Sequence, residues 1–200
     1  MAEPLKPSID ELNNFAAATL LLSASFIAFY SAYSLIPALK LAVFSGLTLL
    51  AREIGQRIIA RWMVAESKLE LSIEGSAMTA FGAMGTFLSG LPVLLLFPIY
   101  NEHDVESYEH WEKSIDAMWV KRQSWIVSFG ILAMFGLWGI FHSLGIERGA
   151  NIVSLFAFYQ LLPFDYSNIP TGPLDGSILI RWSGFLWLIF AGISILMILV

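Results

Sequence analysis

The chain has 200 residues, of which 57% are apolar and 14% charged, and its mean hydropathy is +0.70. Soluble domains are only about 45–50% apolar, so the composition excludes an ordinary soluble domain and indicates an integral membrane protein with a single membrane domain, residues 1–200. The net charge of −5 argues against nucleic-acid binding, and the absence of cysteine excludes disulfides, thiolate zinc sites and haem attachment.

The N-terminal part predicts two membrane-spanning helices and no removable signal peptide. The first residues lack a basic region followed by a short apolar core, which a signal peptide would need. Ser8 and Glu11 have the spacing of a capping box and predict a helix start. Residues 15–36 are almost uncharged and long enough to cross a bilayer, and residues 37–64 form the second predicted span.

The next two segments predict a strand and a third span. Residues 67–74 alternate apolar and polar side chains, which is typical of a strand. Residues 76–100 are apolar and rich in glycine, and a break is expected near Gly90 and Pro92. Such glycines favour close helix packing, and a gate for a substrate is the alternative interpretation.

The acidic stretch 101–123 is predicted to be an aqueous loop with tryptophans at the level of the lipid headgroups. If this stretch were helical, His103, Glu106 and His110 would share a face and form a candidate transition-metal site. The alternative is a solvated loop that lies along the membrane interface without a metal.

The C-terminal part predicts a fourth span, a broken helix and a last span. Residues 125–145 form the fourth span, with His142 as a packing or interface residue near its end. The apolar run 150–163 is too short to cross a bilayer as a helix, so we expect a broken helix or re-entrant loop. The turn-rich loop 164–176 must then be buried in protein or face water, and residues 182–200 form the last span.

These elements predict an all-α polytopic membrane protein with about six hydrophobic segments and a short β element. If all six cross, the basic residues divide almost evenly between the two sides. The orientation in the membrane therefore stays open at this point.

The second span places charge at membrane depth. Residues 47–63 are apolar and helix-forming, yet they contain Arg52, Glu53, Gln56, Arg57 and Arg61. An ionisable side chain in hydrocarbon costs about 2.5–3.5 kcal/mol on insertion scales, so it normally faces a bundle interior, a water-filled cavity or a partner charge. The sequence therefore predicts a present or former site on this helix, although the arginines could also snorkel to the interface.

Two motifs carry a resemblance to a known family. Residues 52–56 read R-E-I-G-Q, which has the shape of H-E-x-x-H with both histidine positions changed, and an apolar pair, a small residue and a base follow. Later the chain reads Q-L-L-P at 160–163 and L-D-G at 174–176. In this order the motifs resemble those of the membrane-embedded site-2 proteases, in particular the short archaeal members.

The resemblance implies a set of site residues and a zinc cofactor. It puts Arg52, Gln56 and Asp175 at the three ligand positions, Glu53 at the position of the general base, and Gln160 where the family has asparagine. Only Asp175 is a competent zinc ligand, since arginine has no lone pair to offer and glutamine has one amide oxygen. We therefore expect no zinc, no other cofactor and no catalytic residue.

The charges of these motif residues predict an ion pair in place of a zinc site. Without a metal, Glu53 and Asp175 would be two buried carboxylates lacking a cation. The guanidinium of Arg52 would restore the balance and form bidentate hydrogen bonds, so we expect Arg52 to pair with Asp175.

The function expected from the sequence is that of a catalytically inactive, site-2-protease-like protein of the cell membrane. It would serve as a scaffold or accessory subunit, with membrane lipids and other integral membrane subunits as partners. The alternatives are an active intramembrane zinc metalloprotease, or a metal- or lipid-handling accessory factor that uses the loop around His103 and His110.

Overall fold

The computed structural model describes residues 7–63, 65–105, 115–164 and 173–200. Within this part, helices pack around one hydrophobic core and a two-stranded sheet lies at one end of the bundle. The elements in chain order are α1 (Ile9–Phe29), α2 (Leu35–Trp62), β1 (Ala65–Leu71), α3 (Ile73–Ser89), β2 (Ile99–Val105), α4 (Ile115–Ser143), α5 (Glu147–Gln160), α6 (Asp175–Trp182) and α7 (Gly184–Leu199).

Three of the described helices are long and apolar enough to cross a membrane: Ile9–Phe29, Leu35–Trp62 and Trp119–Ser143. The first begins with the predicted capping box, in which the Ser8 hydroxyl accepts from the Glu11 N–H and the Glu11 carboxylate accepts from the Ser8 N–H. This confirms the helix start, but the helix ends at Phe29 and not near residue 36.

α2 packs antiparallel to both α1 and α4. Glu11 near the start of α1 pairs with Arg57 near the end of α2. The rings of Phe44 and Phe141, at the start of α2 and the end of α4, lie 5.4 Å apart. We call the end that carries the sheet, the start of α1 and the end of α2 the sheet end, and the opposite end the far end. α4 therefore starts at the sheet end and finishes at the far end.

The predicted third span is wrong, because the chain leaves the sheet end and returns to it. β1 and β2 pair antiparallel, and the Ser72 N–H donates to the Pro98 carbonyl at 3.0 Å, so residues 72 and 98 are neighbours. Helix α3 ends before Gly90, whose φ of 71° is the left-handed conformation that favours glycine. The extended segment that follows runs back along α3.

Side chains form hydrogen bonds with the backbone N–H and carbonyl groups of this returning segment. Thr79 accepts from the Phe97 N–H at 3.0 Å, and Thr86 bonds both the N–H and the carbonyl of Val93 at 2.9 and 2.6 Å. The Tyr159 hydroxyl donates to the Leu94 carbonyl. Gly75 permits the close approach, since a Cβ there would lie 1.9 Å from the Phe97 carbonyl oxygen. An extended backbone can thus lie inside the bundle with its polar groups paired.

The remaining boundaries correct several expectations. The predicted strand occupies Ala65–Leu71 and not 67–74. The stretch 101–123, predicted to be a loop, begins in strand β2 and ends in helix α4, and its residues 106–114 lie outside the described part. α5 ends at Gln160 as the expected short helix. In the loop 164–176, residues 165–172 lie outside the described part, and Asp175 and Gly176 already open a helix.

α5 and α6 together run from the far end to the sheet end. Gly149 near the start of α5 packs on Phe141 at the far end. Gly176 meets the other end of α5, because a Cβ there would lie 2.0 Å from the Leu161 carbonyl oxygen. Trp182 at the end of α6 lies under the Lys121 ammonium of α4, 5.7 Å from it. This arrangement brings the first residue of α6 to the interior of the bundle, beside α2.

Candidate buried charge cluster

The centre of the candidate site is the guanidinium of Arg52, which is fully buried. Its Nε donates to Asp175 Oδ2 at 2.9 Å and its Nη2 to Asp175 Oδ1 at 2.6 Å. This fork-on-fork geometry is the strong, bidentate form of the arginine–carboxylate pair. The ion pair predicted from the sequence is therefore present.

Two further residues also accept hydrogen bonds from the guanidinium. Arg52 Nη1 donates to Glu53 Oε1 at 3.1 Å and also to the Asn101 Oδ1. Asn101 Nδ2 in turn donates to the same Glu53 oxygen at 2.8 Å. We call Arg52, Glu53, Asn101 and Asp175 the charge cluster. Its members come from α2, β2 and α6, so the cluster ties these elements together at a buried position.

The local structure explains why these side chains converge. Asp175 is the first residue of α6, where the helix dipole favours a carboxylate. Asn101 and His103 alternate along β2 with the more exposed Tyr100 and Glu102, so both point from the sheet towards the bundle interior. On α2, Gly55 lets the helix approach α4, because a Cβ there would lie 2.6 Å from the Phe129 carbonyl oxygen.

The charges extend from the cluster towards the surface. Arg57 Nε lies 3.6 Å from Glu53 Oε2, and its Nη2 lies 2.7 Å from Glu11 Oε1 at the start of α1. Opposite charges thus alternate from Asp175 through Arg52, Glu53 and Arg57 to Glu11. Arg61, one turn further, is exposed, as expected for an arginine that snorkels.

Gln56 and Gln160 are both buried but differ in their bonding. Gln56 Nε2 donates weakly to the two Asp175 oxygens, at 3.4 and 3.3 Å, while its Oε1 has no hydrogen-bond partner among the described residues. Neither amide atom of Gln160 has a partner there. The motif residues 52, 53, 56 and 175 are therefore brought together, whereas no hydrogen bond of the described chain joins Gln160 to them.

The residues present do not suit the zinc ion that the resemblance implies. Both oxygens of Asp175 accept hydrogen bonds from Arg52, and Glu53 Oε1 accepts from Arg52 and Asn101. A dication bound by Asp175 would have to lie against a guanidinium that cannot release its charge. Zinc also prefers nitrogen and sulfur ligands, and this cluster offers an arginine and an amide in their places.

The candidate transition-metal site lies partly outside the described residues, and its only described member, His103, is not on a helix. His103 lies on β2 and is buried, so it is not part of a helical face with Glu106 and His110. Glu106 and His110 themselves lie outside the described residues. Within the described ranges, no group of three or more His, Cys, Asp or Glu side chains is placed to hold a metal ion.

The sequence analysis missed Asn101 and the buried position of His103. The signal was the alternation of buried Ile99, Asn101 and His103 with Tyr100 and Glu102, which is a strand pattern. The acidic composition of the surrounding stretch concealed it, because a polar strand that faces a buried charge cluster has no apolar side to recognise.

His103 is predicted to make the fold sensitive to acid. Both ring nitrogens lack a hydrogen-bond partner among the described residues, and burial together with the charge of Arg52 lowers the pKa of His103 from 6.5 to about 3. Between these values the unfolded chain binds a proton that the folded chain does not, so stability falls as the pH falls. From pH 7 to pH 5 this histidine should cost about 2 kcal/mol of unfolding free energy.

Denaturation in mixed micelles at several pH values measures this effect. The difference between the wild-type chain and His103→Gln isolates the contribution of the histidine, because all other groups titrate in both. The same comparison with His142→Gln, at an exposed histidine, serves as the control. Equal pH slopes for the wild type and His103→Gln would contradict the prediction.

No protein-family model, no curated protein and no solved structure matches this chain.

Proposed function

We propose that the chain is a multi-pass protein of the cell membrane with a site-2-protease-like architecture that has lost catalysis and serves as a scaffold or accessory subunit. In this proposal α1, α2, α4 and α7 each cross the bilayer, and α5 with α6 forms one broken crossing. α3 and the extended segment after it form a re-entrant excursion from the sheet end. The extended backbone is tolerated there because it is covered by protein and bonded to side chains.

The observation that carries the proposal is the bidentate bond between Arg52 and Asp175. The resemblance puts a zinc-binding imidazole at position 52 and a zinc-binding carboxylate at position 175. A guanidinium that engages both carboxylate oxygens turns such a pair of positions into a structural link between α2 and α6. A buried, bidentate ion pair specifies an arrangement of helices and provides no open coordination position for a water molecule.

A role within a larger assembly agrees with the surface of the bundle. Large apolar side chains are exposed along several helices, including Leu39, Val43 and Leu50 on α2 and Phe81, Met84 and Phe87 on α3. Lipid covers such faces, and so do other membrane helices. An inactive chain that keeps a specific fold is expected to act through the subunits that it binds.

The experiment is purification of the tagged full-length chain in mild detergent from cells that naturally make it. We expect a stable complex in which at least one other integral membrane protein is present at a fixed ratio to the chain, as measured by mass spectrometry. The variant Glu53→Gln should leave that ratio unchanged. Purification as a lone chain from intact membranes would contradict the scaffold role.

The same preparation separates the alternatives. Cleavage of a transmembrane substrate that is abolished by Glu53→Gln would establish the active protease. Zinc that is lost with His110→Ala would establish the metal-handling factor. Either result would replace the proposal.

A further inference from the structure

The start of α4 and the end of α6 meet at the sheet end and bring basic and aromatic side chains together. Lys121 and Arg122 lie on the first turns of α4, and Arg181 lies in the last turn of α6. The contact between the two helices is direct, since the Lys121 ammonium lies 5.7 Å from the centroid of the Trp182 ring. We call Trp119, Lys121, Arg122, Arg181 and Trp182 the basic corner.

The side chains of the basic corner are accessible. Trp119 and Trp182 are 41% and 40% exposed, and Lys121 and Arg181 are also exposed. Trp119 and Arg122 are three residues apart and therefore share one face of α4. The indole rings thus lie beside the cations at the same end of the bundle. This pairing of an apolar ring with a nearby positive charge is typical of side chains at a membrane surface.

No described side chain beside the basic corner, on α4 or on the last turn of α6, carries a negative charge. From Trp119 through α4 to Ser143 there is no aspartate or glutamate, and on α6 the only one is Asp175, which is buried against Arg52. Other exposed or half-buried acids of the sheet end lie on the sheet, as Glu70 and Glu102 do, or in the first turns of α1 and α3, as Asp10 and Glu74 do. Among the side chains that the structure describes, the corner thus groups three cations on a chain whose net charge is −5.

The fold places more of the described basic residues at the sheet end than at the far end, which the sequence did not indicate. Because the chain returns to the sheet end after α3, Arg61 at the end of α2 lies at the same end as Lys121, Arg122 and Arg181. Lys40, near the start of α2, and Arg148, near the start of α5, lie at the far end. The excess of arginine and lysine at the sheet end is what the positive-inside rule associates with the cytoplasmic side.

We propose that the basic corner binds the headgroup phosphate of an anionic phospholipid in the cytoplasmic leaflet. The cations supply the attraction to the phosphate, and the two indoles lie at the boundary between the acyl chains and the headgroups. The cytoplasmic leaflet is the negatively charged one, so the charge asymmetry of the fold and the chemistry of the corner agree. The inference rests on the membrane location proposed above, and it is independent of the scaffold role.

Native mass spectrometry of the full chain in mild detergent tests this inference, with phosphatidylglycerol and phosphatidylcholine as probes. The wild-type chain should bind phosphatidylglycerol more tightly. The variant Lys121→Gln/Arg122→Gln should lose about 30-fold of that preference, since each cation near an anionic surface contributes about one kcal/mol. The matched control Lys40→Gln/Arg148→Gln removes the same charge at the far end and should keep the preference.

Further variants make each outcome decisive. The exchange Lys121→Arg/Arg122→Lys retains both charges and should bind phosphatidylglycerol as the wild type does. Equal loss in the corner variant and the far-end control, or equal binding of the two lipids by the wild type, would overturn the inference. So would displacement of phosphatidylglycerol by inorganic phosphate at constant ionic strength, because a free anion would then be the ligand. A wild-type chain that retains neither lipid would contradict the membrane location itself.

Discussion

Replacing Arg52 with leucine is expected to lower the free energy of unfolding by about 3–5 kcal/mol, because it leaves the carboxylate of Asp175 buried without its cation and removes the closer of the two arginines beside Glu53. The guanidinium bonds to Asp175 through two nitrogens and to Glu53 and Asn101 through a third. Leucine replaces none of these bonds. Denaturation of the purified chain in mixed detergent micelles, followed by circular dichroism, measures the change.

The control for this prediction is Arg61→Leu on the same helix. Arg61 is exposed, so its loss should change the unfolding free energy by only about 0.5 kcal/mol. The triple variant Arg52→Leu/Glu53→Leu/Asp175→Leu removes the charges together and should recover much of the lost stability, since apolar replacements of a buried ion pair are often neutral or stabilising. Equal effects of Arg52→Leu and Arg61→Leu would contradict the structural role of the charge cluster.

The parts of the site that could be predicted from the sequence were the ionisable side chains that lie in apolar, membrane-embedded segments. Arg52 and Glu53 in an apolar helix required partners, and Asp175 was a carboxylate in a segment that could not face lipid. Pairing the two followed from the cost of leaving either charge alone. Asn101 could not be found in this way, because an amide carries no charge and its strand lies in an acidic stretch.

The path of the chain after α3 could not be predicted either. Residues 91–98 are apolar, and hydropathy does not distinguish a helix that continues from an extended segment that returns. The distinction depends on hydrogen bonds to the returning backbone from Thr79 and Thr86 on α3 and from Tyr159 on α5. This return of the chain also decides which basic residues share an end of the bundle, which is why charge counting along the sequence left the orientation open.

Restoring histidine at the two changed motif positions is expected to create a zinc site. Arg52 and Gln56 are four residues apart on α2 and face the same carboxylate, since Arg52 Nε lies 2.9 Å and Gln56 Nε2 3.3 Å from Asp175 Oδ2. In Arg52→His/Gln56→His, two imidazoles and the Asp175 carboxylate would replace a guanidinium, an amide and the same carboxylate. Two histidines and one carboxylate are a sufficient protein ligand set for zinc, so we expect about one zinc ion per purified chain.

Elemental analysis after dialysis against a weak chelator measures the zinc content. The wild-type chain and the single variant Gln56→His retain Arg52 and should bind no zinc at this position, because the guanidinium still occupies both oxygens of Asp175. Adding Asp175→Asn to the double variant should reduce the bound zinc, since the carboxylate is its third ligand. A folded double variant without zinc would mean that positions 52, 56 and 175 do not have the geometry of a metal site, and the resemblance to site-2 proteases would then lose its physical basis. Zinc retained by the double variant and released by Asp175→Asn would indicate that the guanidinium of Arg52 occupies the place that a metal ion could take between these residues.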